Sequence, residues 1–171
     1  MNLYLTGIMG CGKTSAGRLA AGILEASFID LDAEIEKRES MPIGEIFNLH
    51  GEEYFRDLET EALRDISEKS GLVVSTGGGI ILRDENIEIM HQTGKIIWIE
   101  RPVDLILTCV DASVRPLIAS NPEKLNQIYA QRRPLYGKYA DAVVQNNGFL
   151  EDAAKEIAER YLLLTDTKEE E

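Results

Sequence analysis

Residues 7–14 read Gly7-Ile8-Met9-Gly10-Cys11-Gly12-Lys13-Thr14, the pattern G-x-x-x-x-G-K-T. Glycines at these places let the backbone bend into a nest whose N–H groups point at phosphate oxygens. A lysine at the seventh position sets a positive charge against the β- and γ-phosphates, and the threonine hydroxyl after it suits a Mg²⁺ ion. The motif has meaning only between a strand and a helix, and both flanks fit. Asn2-Leu3-Tyr4-Leu5-Thr6 is a short β-prone run. Residues 15–24 place Ala16, Leu19, Ala20 and Ile23 at helical spacing, so a helix N-terminus also faces the phosphates. A chance glycine-rich turn would not carry both flanks. The stretch predicts a site for a nucleoside triphosphate.

Outward from this site, apolar runs alternate with helical patterns. Ser27-Phe28-Ile29-Asp30 reads as a second strand, with a helix starting near Ala33. Pro42 opens a helix over 43–50, and Gly51 separates it from a longer one over 52–70 that Gly71 stops. Leu72-Val73-Val74-Ser75 is a third strand, followed by Gly77-Gly78-Gly79. A helix over 84–92 ends at Gly94, and 96–99 is a fourth strand. A helix from Val103 leads into an irregular segment over 111–121; Pro122 opens a helix to Tyr139; 142–145 is a fifth strand and 150–164 a closing helix. Five short apolar strands alternating with helices predict an α/β fold, a three-layer α/β/α arrangement around a five-stranded parallel sheet. Ligands in such sheets bind beyond the carboxyl ends of the strands, so 6–7, 30–32 and 76–79 should meet in one crevice.

The length of 171 residues suits one domain, read as 1–164 with an acidic, frayed tail over 165–171. A net charge of −12 argues against nucleic acid as a partner, because such binding rests on a basic footprint. Phosphate binding then needs a locally basic pocket inside an acidic shell. No apolar run approaches the roughly 18 residues of a membrane span, and Met1 leads straight into the first strand, so no signal peptide, no membrane partner and a cytoplasmic location are expected. Cys11 and Cys109 lack the spacing of a disulfide framework or a zinc site, and Cys11 is read as backbone of the loop rather than as a reactive thiol. His50 and His91 are too isolated for a metal cluster and are expected on the surface or in helix packing.

A phosphate loop alone serves many chemistries. The guanine-reading Asn/Thr-Lys-x-Asp segment of GTPases has no counterpart after a later strand. Glu100 ends the fourth strand and reads as a terminal acid of a core strand rather than a metal ligand. Six segments in order decide more: 7–14, Phe28-Ile29-Asp30-Leu31-Asp32, Phe55-Arg56-Asp57-Leu58-Glu59, Ser75-Thr76-Gly77-Gly78-Gly79, Arg115-Pro116-Leu117 and Arg132-Arg133-Pro134-Leu135-Tyr136. Over nearly the whole chain these resemble the shikimate kinase family, P-loop proteins of the nucleoside monophosphate kinase-like group with a mobile lid.

The resemblance implies ATP-dependent phosphorylation of the shikimate 3-hydroxyl with Mg²⁺, by a monomer. It implies that Gly10, Cys11, Gly12, Lys13, Thr14 and Ser15 cradle ATP, with Lys13 also catalytic and Thr14 and Asp30 serving the metal. Asp32 accepts a hydrogen bond from the attacking hydroxyl, either as general base or as orienting group. Arg56 and Arg132 hold the substrate carboxylate, a match of planar fork to planar acid. Spacing alone does not choose between Arg132 and Arg133; the family pattern selects Arg132 and leaves Arg133 to solvent or a neighbouring acid. Glu59, three residues after Arg56, shares its helix face and is placed to hold it. Gly77, Gly78 and Gly79 bring backbone N–H groups to the substrate, and Arg115, in a lid over about 111–121, reaches over the phosphates as a further catalytic and nucleotide-binding cation.

Simpler roles stand beside these: helix N-capping for Asp30 and Asp32, a surface ion pair for Arg56, an ordinary turn for the glycines and a solvated loop for Arg115. One position departs from the family, Thr108, where an arginine commonly stacks on adenine; packing of the base would then fall to an aliphatic residue or to the segment near Asn146 and Asn147. A related small-molecule kinase, such as a gluconate kinase, and a non-catalytic nucleotide-binding regulator are the alternatives.

Overall fold

The structure, a computed structural model, describes residues 1–109 and 121–166, the side chain of Cys109 apart. Five strands form one parallel sheet: β1 (Asn2–Thr6), β2 (Ser27–Asp30), β3 (Leu72–Ser75), β4 (Gly94–Glu100) and β5 (Ala142–Gln145), in the order β2-β3-β1-β4-β5. Helices connect them: α1 (Lys13–Ile23), α2 (Leu31–Glu39), α3 (Ile43–His50), α4 (Glu52–Ser67), α5 (Asp84–Thr93), α6 (Val103–Cys109), α7 (Pro122–Tyr139) and α8 (Leu150–Asp166), with a single 3₁₀ turn at Ile80–Leu82.

Every residue of β1 and β3 is buried, which requires cover on both faces of the sheet and accounts for their unbroken apolar character. α1 and α8 pack on each other, as do α4 and α5, giving the three layers. Leu3, Tyr4, Leu5, Ile96, Ile97 and Ile99 form the centre of the core, each burial contributing about 1.5–3 kcal/mol. β1 lies between β3 and β4, where the strand order reverses, so its carboxyl end opens into the crevice that such sheets use for ligands.

Differences from the sequence reading have local causes. α2 starts at Leu31 rather than near Ala33, because the Asp30 side chain caps it, accepting the Ala33 N–H at 3.1 Å. Asp30 is therefore the cap, and Asp32 lies inside the first turn. α4 stops at Ser67, three residues before Ser70, and the chain turns at Gly71, whose φ is +75°. β4 is longer than 96–99, since Gly94 already pairs with Asn2. α8 runs two residues past Leu164, with the Thr165 hydroxyl donating to the Tyr161 carbonyl at 3.1 Å. The expected lid, Arg115 within it, and the end of the expected tail at 167–171 fall outside the described residues, except that Asn121 caps α7.

Candidate active site

The site grows from the turn that ends β1. Gly7, Gly10 and Gly12 all take positive φ, and Gly12, at +100°, is the residue before α1. A side chain at Gly12 would be strained and would meet the Asn146 amide. That amide donates to the Cys11 carbonyl at 2.8 Å, so the end of β5 braces the loop from behind. α1 has no acidic residue in its first turn and no side-chain cap, which leaves its N–H groups and positive dipole end to an anion. Lys13 is only 8% exposed; its Nζ donates to the carbonyls of Gly7 (2.8 Å) and Ile8 (3.0 Å), which hold the charge at the mouth of the nest. Cys11 is fully buried and Ser15 exposed.

Behind the loop, three oxygens gather from three elements. The Thr14 hydroxyl donates to Asp30 Oδ2 at 2.6 Å and lies 3.3 Å from the Ser75 hydroxyl. The other Asp30 oxygen is the cap of α2, so the carboxylate is fixed in direction. This is a hard-oxygen set of the kind Mg²⁺ uses beside substrate phosphates, for which one or two protein ligands suffice.

The opposite wall is made of side chains. Arg56 and Glu59 project from one face of α4 and form a buried ion pair, Arg56 being 7% exposed and Glu59 fully buried. Arg56 Nη2 also donates to Glu52 Oε1 at 3.0 Å. Burial pushes the Glu59 carboxyl up; Arg56 opposes the rise and the nearby Asp32 adds to it, and the outcome is about 7 against an ordinary 4.5. The glycine turn fits against this pair. A Cβ at Gly79 would collide with the Arg56 guanidinium, and one at Gly77 would lie 2.9 Å from Asp32 Oδ1 and against Glu59. A Cβ at Gly78 would stand 3.5 Å from the Gly7 carbonyl oxygen and 3.6 Å from Arg132 Nη1. The turn therefore lies close to the phosphate loop and to Asp32, Arg56 and Arg132.

The expected residues thus converge, apart from Arg115, which lies outside the described residues. Arg133 turns away from the cleft and pairs with Glu100 at 2.9 Å. Glu100 ends β4 and is engaged by Tyr129, Arg133 and Gln145. Thr108 is exposed, its hydroxyl donating to the Leu105 carbonyl at 2.8 Å. Asn146 is committed to the phosphate loop, whereas Asn147 is exposed. His50 packs on the Tyr54 ring and His91 bonds the Tyr139 carbonyl, both packing roles. Two residues named in the sequence take roles that it did not suggest. Asn146 braces the loop, and no local signal marks that contact. Tyr136 donates to the Gly78 carbonyl at 2.5 Å, and burial lifts its phenol well above the ordinary value. The signal for Tyr136 was present: it lies four residues after Arg132, on the same helix face.

Comparison with known proteins agrees with this geometry. A family model described as shikimate kinase matches residues 9–162. A shikimate kinase of Clostridium beijerinckii is 40% identical over 156 residues, covering 91% of this chain and 92% of that protein. One from Aquifex aeolicus is 39% identical, covering 92% and 94%. Among solved structures, the shikimate kinase of Acinetobacter baumannii in complex with shikimate superposes with a TM-score of 0.88 at 36% identity, covering 98% of this chain and 95% of that one. A gluconokinase from Sinorhizobium meliloti reaches 0.63 at 16% identity, a likeness of fold alone. With a family match over most of its length, and a glycine turn set close to the phosphate loop, Arg56 and Arg132, the chain belongs to the shikimate kinase family.

Proposed function

We propose that the chain transfers the γ-phosphoryl group of ATP to the 3-hydroxyl of shikimate, yielding shikimate 3-phosphate and ADP. One observation carries the reading: a Cβ on the glycine turn would meet Gly7 of the phosphate loop and Arg132, Arg56 and Asp32, so donor and acceptor sites adjoin one wall. A cleft built this way suits a small acid with a hydroxyl to offer.

The residues divide the work. Backbone N–H groups of 10–15 and the ammonium of Lys13 hold the phosphates and offset the charge that develops on them. Arg56 and Arg132 bind the acceptor's carboxylate, with Glu59 and Glu52 fixing the Arg56 fork. Asp32 orients the hydroxyl and receives its proton as the new O–P bond forms and the bond to the ADP oxygen breaks. Thr14 and Asp30 would hold Mg²⁺, directly or through water, and the ion would supply positive charge to the phosphate oxygens. Arg115 would add a second cation from the expected lid, closing out water as a competing acceptor. The working unit is taken to be a cytoplasmic monomer of one kinase domain; no helix among the described residues is long and apolar enough to cross a membrane.

ADP release measured with shikimate, with gluconate and with no acceptor tests this reading. Turnover with shikimate alone is expected. A shikimate rate no higher than the blank would overturn it, and a gluconate rate in its place would favour the related kinase.

A further inference from the structure

We propose that Glu100, at the carboxyl end of β4, is a positioning residue: it sets the rotation of α7 so that Arg132 faces the acceptor pocket. This rests on the proposed function for the meaning of Arg132, but the mechanical link stands on its own contacts.

Helix α7 is held by apolar packing and by polar ties. Leu125 and Tyr136 are buried, and Ile128, Tyr129, Leu135 and Tyr139 pack partly buried on the core. Pro134 lies in its interior, which removes the N–H that would bond the Ala130 carbonyl in the turn carrying both arginines. A helix whose ladder is interrupted in that turn gains from polar ties to its neighbours beyond its apolar packing.

Glu100 supplies them. Its Oε1 accepts from the Tyr129 hydroxyl at 3.0 Å and from Arg133 Nε at 2.9 Å; its Oε2 accepts from Gln145 at 2.5 Å. One carboxylate thus joins α7 to β4 and β5. Burial raises its pKa, the three donors more than offset that, and the net shift is downward, so the group stays charged at neutral pH. Two residues back on β4, Trp98 continues the contact: the Arg133 guanidinium lies 5.9 Å from its ring, and Tyr136 stacks on it at 5.9 Å with planes 22° apart. Tyr129 and Arg133, four residues apart, form a stripe turned toward β4, and Tyr136 lies between that direction and the direction of Arg132. Arg132 is one residue, about 100° of helical rotation, from Arg133. Fixing the stripe therefore fixes the direction in which Arg132 leaves the helix. Tyr136 transmits the same placement to the glycine turn through its bond to the Gly78 carbonyl.

The test uses the full chain and the Glu100→Gln variant, which keeps the shape and loses the charge. Trp98 is the single tryptophan, so its emission reads the packing of α7 without any substrate. In the variant, the shikimate KM should rise about fivefold with the ATP KM within about twofold of wild type, because a charged hydrogen-bond network on one side of the cleft is lost. Trp98 emission should shift to the red while the far-UV spectrum is unchanged. Arg133→Gln should reproduce both effects, and the double variant should be no worse than either single one, since one link is cut twice. Unchanged shikimate KM and unchanged Trp98 emission would overturn the proposal. So would an equal rise in both KM values with a lowered melting temperature, the mark of general loosening. A wild-type protein inactive on shikimate would instead overturn the proposed function, while the Trp98 signal would still decide whether Glu100 holds α7.

Discussion

In the phosphate loop the chemistry sits on the backbone of consecutive residues, 7–14, directed by glycines with positive φ and by a helix N-terminus. In the acceptor wall it sits on side chains drawn from α2, α4 and α7, set against the glycine turn. The two regions fail differently. A backbone nest is destroyed by adding atoms, as at Gly12 against Asn146, but is indifferent to most exposed side chains. A wall of side chains depends on each group and on the contacts that aim it, near in sequence as Glu59 on Arg56 or far as Tyr136 on Gly78. The reaction needs both, so variants in one region should spare the affinity of the other ligand.

Asp32→Ala should break this division most severely in rate and not at all in nucleotide affinity. Turnover should fall by about 10²–10⁴-fold, the usual scale for a positioned acid–base group, while calorimetry finds the ATP affinity unchanged. A parallel loss of ATP binding would mean that Asp32 belongs to the phosphate half.

Arg56→Ala comes next. Removing a buried charged fork should weaken shikimate binding by about 1.5–3 kcal/mol and leave ATP untouched. Equal losses of both ligands in the same titrations would make Arg56 a structural residue rather than a carboxylate anchor.

Asn146→Ala gives the mirror image. It deletes the bond to the Cys11 carbonyl and should raise the ATP KM about fivefold, the scale of one hydrogen bond, with the shikimate KM unchanged. An effect on shikimate alone would contradict the brace.

The smallest effect expected is on stability against pH. Glu59 holds a proton in the folded protein between about 4.5 and about 7, where the unfolded carboxyl is ionised. Its contribution is therefore full below about 4.5 and is lost as pH rises through about 7. Urea midpoints should fall more steeply across that window in the wild type than in Glu59→Gln; parallel curves would show that Arg56 keeps Glu59 ionised.

The same contrast explains what was legible in the sequence. β1, β2, β3, β5, α3 and α7 take the bounds read from apolar runs and from Gly51, Pro42 and Pro122, because turn chemistry is local, whereas α4 stops short of Gly71. The phosphate loop is local too, and the Arg56–Glu59 pair is one helical step apart. Asp32 shows where local reading errs. Both acids precede helical sequence, and the cap goes to the one whose side chain reaches the Ala33 N–H. The bonds from Tyr136 to Gly78 and from Asn146 to Cys11 join residues far apart in the chain, and only the packed sheet brings them together. Gly94 reads as a helix stop yet begins β4, because a glycine alone can sit there against the Asn2 carbonyl.

The most direct test of the account is the position of the transferred phosphoryl group, read by phosphorus–proton coupling in the NMR spectrum of the product made from ATP and shikimate. The account predicts coupling to the proton on carbon 3 and one ADP for each shikimate consumed. Phosphate on another hydroxyl, or ADP appearing with free phosphate and unchanged shikimate, would contradict it.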